Sequence, residues 1–166
     1  MARDDRELPG ARRRAVRSVI EIDREVVIAR QSSVVFDYLA DVGNYPRWQP
    51  AIERAEQVTP GTPSLGTRVK LILRGPMGPT EILGEIVAFD RPAELAIRSL
   101  TGPAKIEARC ALDAAGADGV GTRLRLTASI ELKGFLRFAE GRARTLINRE
   151  LPAVLADLAK RIESEA

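Results

Sequence analysis

Five turn-forming stretches, set at strand-length intervals, constrain this chain more than any other feature. TPGTPSLG, RGPMGP, DRPA, TGP and DAAGADGVG are built from residues that supply positive φ or fix φ near the value a turn needs. The segments they bound, near 52–58, 67–74, 80–89, 93–100, 104–112 and 121–131, have strand-type alternation. The short connections make these strands antiparallel neighbours. One strand precedes them in VIEIDREVVI, and its alternation breaks near Arg24 as a bulge would break it.

Helical signals fall in two places. After the first strand, Ser32 and Ser33 read as caps of a helix with apolar Val35, Phe36 and Leu39, ending before Gly43. NYPRW then gives a second short turn, closed by Pro50. From Phe135 to about Ser164 runs one long helical pattern, with Pro152 expected to bend it. A sheet must bury one face, and only the last helix is long enough to cover it. The expectation is an α+β domain: a curved seven-stranded antiparallel sheet wrapped around a long C-terminal helix, with two short helices between the first and second strands.

The charge is unevenly placed. Residues 1–17 hold six arginines, Arg3, Arg6, Arg12, Arg13, Arg14 and Arg17, against Asp4, Asp5 and Glu7, which accounts for the whole net charge of +3. Residues 1–17 therefore read as a basic, solvated leader and 18–166 as the folded domain. The neutral domain lacks the clustered positive charge of an extended nucleic-acid surface, so nucleic acid is not expected as a partner. No stretch approaches the ~18 apolar residues of a membrane span, and no apolar secretory segment opens the chain, which gives a cytoplasmic expectation. Histidine is absent, which excludes histidine-based triads and removes the commonest zinc ligand. The single cysteine, Cys110, reads as a buried inert thiol. No metal or cofactor is called for.

Charged residues mark the outer face of each strand, because burying them unpaired is costly. Arg68, Lys70 and Arg74 then turn Val69, Leu71 and Leu73 inward; Glu81 and Glu85 do so for Ile82, Gly84, Ile86 and Ala88. The same reasoning puts Leu95, Ile97, Ser99, Ile106, Ala108, Cys110, Leu112, Leu124, Leu126, Ala128 and Ile130 inside. Many are small. They face a helix whose first half is also lean, at Ala139, Gly141 and Ala143, whereas Leu151, Val154, Leu155, Leu158 and Ile162 fill the second half. The expectation is a cavity under the first half of the helix; apolar ligand pockets run to roughly 300–1,000 Å³. Close packing of the sheet onto the helix is the alternative use of small residues.

In such a meander RGPMGP, TGP and the joint ELKGF share one rim. Trp48, the only tryptophan, reads as an indole near that mouth with its N–H kept near water, or as a corner staple. Met77 reads as a flap residue on its Gly-Pro loop, and Phe138 and Arg142 as helix residues facing the cavity.

VVFDYLADVGNYPRWQPAIERAE, GTRVKL, EIVAFDRPAELAIRS and GTRLRLTASIEL together resemble the polyketide cyclase/dehydrase and lipid-transport family of the START-like (SRPBCC, birch-pollen-allergen-type) superfamily, from about residue 20 to 164. The most specific pieces are F-D-x-x-x-D-x-x-x-Y-P-x-W and F-D-x-P-x-x-L. Gln31, Ser32 and Ser33 depart from the proline and acidic residue that relatives carry at the helix start. The resemblance implies a helix-grip fold with a loop near Met77 acting as a gate. It frames three functions: binding or transport of a hydrophobic small molecule (lipid, isoprenoid quinone or polyketide), a cyclase/dehydratase, or a protein-interaction module. The lining as phased above carries no acid/base pair, which favours binding over catalysis. Candidates for a catalytic role are Arg142, Tyr38 and Asn148, with Arg142 polarising a ketone oxygen. Oligomeric state is not legible in the sequence.

Overall fold

A computed structural model describes residues 18–166; the basic leader lies outside the described residues. In chain order the elements are β1 (Ile20–Ile28), α1 (Ser32–Ala40), a 3-10 turn (Val42–Asn44), α2 (Tyr45–Trp48), β2 (Ile52–Gln57), β3 (Arg68–Leu73), β4 (Thr80–Asp90), β5 (Glu94–Ser99), β6 (Ala104–Ala115), β7 (Gly121–Leu132), a 3-10 stretch (Gly134–Ala139) and α3 (Glu140–Glu165). The strands form one antiparallel sheet in the order β1-β7-β6-β5-β4-β3-β2. This is the expected architecture, with consecutive strands paired from β2 to β7 and β1 added beside β7.

Three local expectations need correction. β1 has no bulge: its register against β7 runs without a shift from Ile20↔Ile130 to Ile28↔Thr122. Arg24 therefore keeps the phase of Ile20, Ile22, Val26 and Ile28, and it is the one charged residue on that inward row. The bulge instead lies in β4, between Ile86 and Ala88. It shifts the phase so that Phe89 rather than Ala88 enters the core, edge to face with Phe36. At α1 the N-cap is Gln31 with no side-chain cap, and the Ser32 hydroxyl lies 3.1 Å from that of Thr122, a buried residue.

The core is divided. The larger cluster joins α1 (Val35, Phe36, Leu39), the β4–β5 and β6–β7 turn end of the sheet (Ile86, Leu95, Leu112, Leu124) and the second half of α3 (Leu151, Leu155, Leu158, Ile162). Each such side chain contributes about 1.5–3 kcal/mol of burial. The smaller cluster joins Val42 and Tyr45 to Val69. Trp48 packs against both. Pro152 lies inside α3, and because it has no N–H the carbonyl of Asn148 loses its intrahelical partner.

Candidate functional site

The long helix approaches the sheet closely along β1. Arg144 donates to the Val19 carbonyl (3.3 Å), Arg24 to Asn148 Oδ1 (3.0 Å), and the Ala29 N–H to a Glu163 carboxylate oxygen (2.8 Å). Those three contacts fix α3 parallel to the edge strand over its whole length. The concave face of the neighbouring strands is then covered unevenly. At the β4–β5 turn end, Ile86, Leu95, Leu112 and Leu124 are buried under α1 and the second half of α3. Toward the Met77 end, Ile97, Ile106, Ala108, Cys110, Leu126, Ala128 and Ile130 are only half-buried.

The facing half of α3 is correspondingly bare. Ala143 and Ile147 are half-buried, while Gly141, Arg142, Leu146 and Asn148 are exposed. A Cβ added at Gly141 would meet nothing within 4 Å. At this end of the molecule the inward apolar residues Ala108, Cys110, Leu126 and Ala128 of β6 and β7, and the lean half of α3, are thus only partly covered. Burial pushes the Cys110 thiol up to about 12, so it is protonated at neutral pH and serves as a small apolar wall residue.

Several of the sequence-named residues stand elsewhere. Gly84 does not open space, because Val69 and Ile97 side-chain atoms would lie 3.3 Å from its missing Cβ. Ile86 is fully packed in the larger cluster. The Ser99 hydroxyl is taken by the backbone, donating to the Ala104 carbonyl (3.2 Å) and accepting from the Ile106 N–H (2.9 Å). At these three positions close packing, rather than a void, is what the residues serve. Leu71 and Leu73 keep their inward phase, and Leu71 packs beside Trp48 on the smaller cluster.

The rim residues point outward. Met77 is 83% exposed on the β3–β4 turn and Phe138 is 94% exposed on the 3-10 stretch; Phe138 lines no cavity in this conformation. Arg142 is exposed as well. Tyr38 is buried on α1, its hydroxyl without a hydrogen-bond partner among the described residues. Burial raises its pKa, as does the nearby Glu165 carboxylate. Glu165 ends α3 and Arg142 lies in its first turn, so about 34 Å of helix at ~1.5 Å per residue separates the surroundings of Tyr38 from Arg142. The structure does not bring the two together.

Of the two readings of Trp48, the structure favours the corner staple. Its ring stands edge to face with Tyr45, centroids 6.2 Å apart, and its Nε1 is buried with no acceptor among the described residues. The neighbouring Arg47 reaches Glu165 (3.0 Å) at the end of α3. The indole therefore lies between the two core clusters with its donor in the interior, not near water.

A concavity of about 560 Å³ opens at the opposite end of the sheet, lined by α1, the 3-10 turn after it, β2, the β2–β3 loop, Phe89 and Arg91. Its charged walls are internally paired: both oxygens of Asp37 accept from Arg91 (2.7 and 2.8 Å), Glu56 pairs with Lys70, and Asp41 accepts from the Gly43 N–H (3.0 Å). No sequence signal pointed to it, because it is created by the way the α1 end overhangs the short strand β2.

The sequence matches the family described as polyketide cyclase / dehydrase and lipid transport over residues 19–163. The chain belongs to that family. No curated protein matches its sequence. Among solved structures, this family member is similar to a START superfamily protein from Mycobacterium smegmatis, with a TM-score of 0.71 and 17% identity over 88% of this chain and 99% of the other. It is also similar to the Zhui aromatase/cyclase from Streptomyces sp. R1128, with a TM-score of 0.68 and 20% identity over 88% and 94%. A third similar structure is Ara h 8.0201, with a TM-score of 0.62 and 18% identity over 89% and 100%. At these identities the likeness establishes the START-like fold. Among the described residues of this family member no group of three His, Cys, Asp or Glu side chains is placed to hold a metal, and no helix is long and apolar enough to cross a membrane.

Proposed function

We propose that this chain binds a hydrophobic small molecule, of the lipid, isoprenoid quinone or polyketide kind, in the groove between the first half of α3 and strands β5 to β7. The observation that supports this reading is the half-buried state of Ala108, Cys110, Leu126 and Ala128 beneath a bare helix face. Apolar side chains at inward strand positions lower the free energy by leaving water; these four are only partly covered by the protein itself.

Binding is favoured over cyclisation because the three candidate catalytic side chains are dispersed: Tyr38 beside the end of α3, Arg142 in solvent, Asn148 engaged by Arg24. The interaction-module reading comes from the resemblance, and its tethered form from the arginine leader, which lies outside the described residues. Native mass spectrometry of freshly purified protein, followed by organic extraction, tests the proposal. The expected result is a discrete extra mass that solvent removes. A clean apo mass, together with no Trp48 fluorescence response to a series of fatty acids, quinones and aromatic polyketides, would overturn it.

A further inference from the structure

One residue breaks the apolar pattern of the groove wall. The inward row of β1 runs Ile20, Ile22, Arg24, Val26, Ile28, and Arg24 is paired in register with Leu126 of the groove floor. It is half-buried. Its Nη1 donates to the Asp23 carbonyl (2.8 Å) and its Nη2 to Asn148 Oδ1 (3.0 Å) on the lean half of α3. The adjacent carboxylate, Asp23, faces the other side of the sheet and accepts both its bonds from Arg125 (2.9 and 2.7 Å). Arg24 is thus a cation at the groove edge whose described partners are two neutral oxygens.

The donor inventory shows what this arrangement lacks. A guanidinium has five N–H donors and no acceptor, so Asn148 must present its amide oxygen to Arg24, which leaves the amide NH2 as two further donors. Among the described residues two guanidinium N–H groups are engaged and the others have no acceptor. Nothing in the packing of β1 calls for a charge here, since an aliphatic residue would continue the row without the solvation cost. Pro152 also leaves the carbonyl of Asn148 without its intrahelical donor.

We propose that Arg24, oriented by Asn148, is the head-group site of the groove and takes the carboxylate of an amphiphilic ligand whose apolar part lies over Leu126 and Ala128. A guanidinium binds a carboxylate through two parallel charge-assisted hydrogen bonds, which a neutral ester cannot match. This assignment rests on the groove reading above, and its test separates the two. Decanoate and methyl decanoate share one tail and differ in charge; both are titrated into the full-length chain by calorimetry, with Trp48 fluorescence alongside.

The expected result is that decanoate binds about tenfold more tightly than the ester, that Arg24→Met removes this preference while ester affinity stays within about twofold, and that Arg24→Lys retains part of it. Asn148→Ala, which leaves the sheet untouched, is expected to reduce the preference by about threefold and provides the test should Arg24→Met fail to fold. Equal affinity for acid and ester in the unaltered chain, or equal loss of both in Arg24→Met, would overturn the head-group assignment and leave the apolar groove standing. Binding of neither compound would overturn both.

Discussion

Phe36 of α1 and Phe89 of β4 meet edge to face, with ring centroids 5.0 Å apart and planes at 83°. Phe36 is fully buried, and the contact pins the first helix over the part of the sheet where β4 bulges. Phe36→Ala is expected to destabilise the domain by about 3–5 kcal/mol, the range for deleting a buried aromatic side chain, while Phe36→Leu costs less. Urea unfolding followed by far-UV circular dichroism measures both, with the shift appearing in the midpoint rather than the slope.

The same contact shows how far the sequence could be read. Strand order, turn positions and the long helix were legible because each rests on local chemistry: Gly and Pro in the turns, charges marking outer faces, helical spacing in the last segment. The phase at Ala88 was not, because a bulge adds a residue without changing composition. Arg24 was misread for the opposite reason. A charge on an inward row looks like a break in the row until the partner on α3 is known, and Asn148 lies 124 residues away. Gly84 and Ser99 carry a similar lesson: a small or hydroxylated inward residue marks a void or close packing alike, and only the neighbours Val69, Ile97 and the Ala104 carbonyl decide.

Asp37 and Arg91 tie α1 to the β4–β5 turn through two parallel hydrogen bonds. The Arg91 guanidinium holds the Asp37 carboxyl below its ordinary value near 3.8. A carboxylate with a lowered folded-state pKa contributes stability that is present above its unfolded value and lost as pH falls through the folded one. Both side chains are more than a third exposed, so solvent screens the pair and its contribution to stability is small. Arg91→Ala should therefore lower stability slightly at pH 7 and by less near pH 3, a difference that paired thermal melts at the two pH values would show.

Cys110 gives the opposite pH dependence. Its thiol is pushed up to about 12 by burial, whereas an unfolded thiol titrates near 8.5. Between those values the unfolded chain binds fewer protons than the folded one, so stability falls as pH rises, by up to about 1.4 kcal/mol per unit. Cys110→Ala is expected to flatten the stability profile between pH 9 and 11. Below pH 8 the native thiol should react with a disulfide reagent far more slowly than the same thiol in denaturant, and if it reacts as fast, the groove floor is more open to solvent than its apolar walls imply.

Ala128 stands where the proposed groove meets the core. It is half-buried on β7, flanked in register by Ala108 of β6 and Ile22 of β1, and it lies under the bare half of α3. A larger side chain here projects into the groove rather than into packed neighbours, so Ala128→Leu should change stability by less than about 1.5 kcal/mol, below the usual cost of overfilling a closed core. The same substitution occupies the volume a ligand would take and is expected to reduce affinity by tenfold or more. Gly84→Leu supplies the contrast, because Val69 and Ile97 already fill the space at its Cβ; it should destabilise the domain by about 1–3 kcal/mol. Measuring unfolding midpoints and ligand titrations for both variants tests the placement of the groove, since reversed behaviour would put the binding volume over β4 instead of β7.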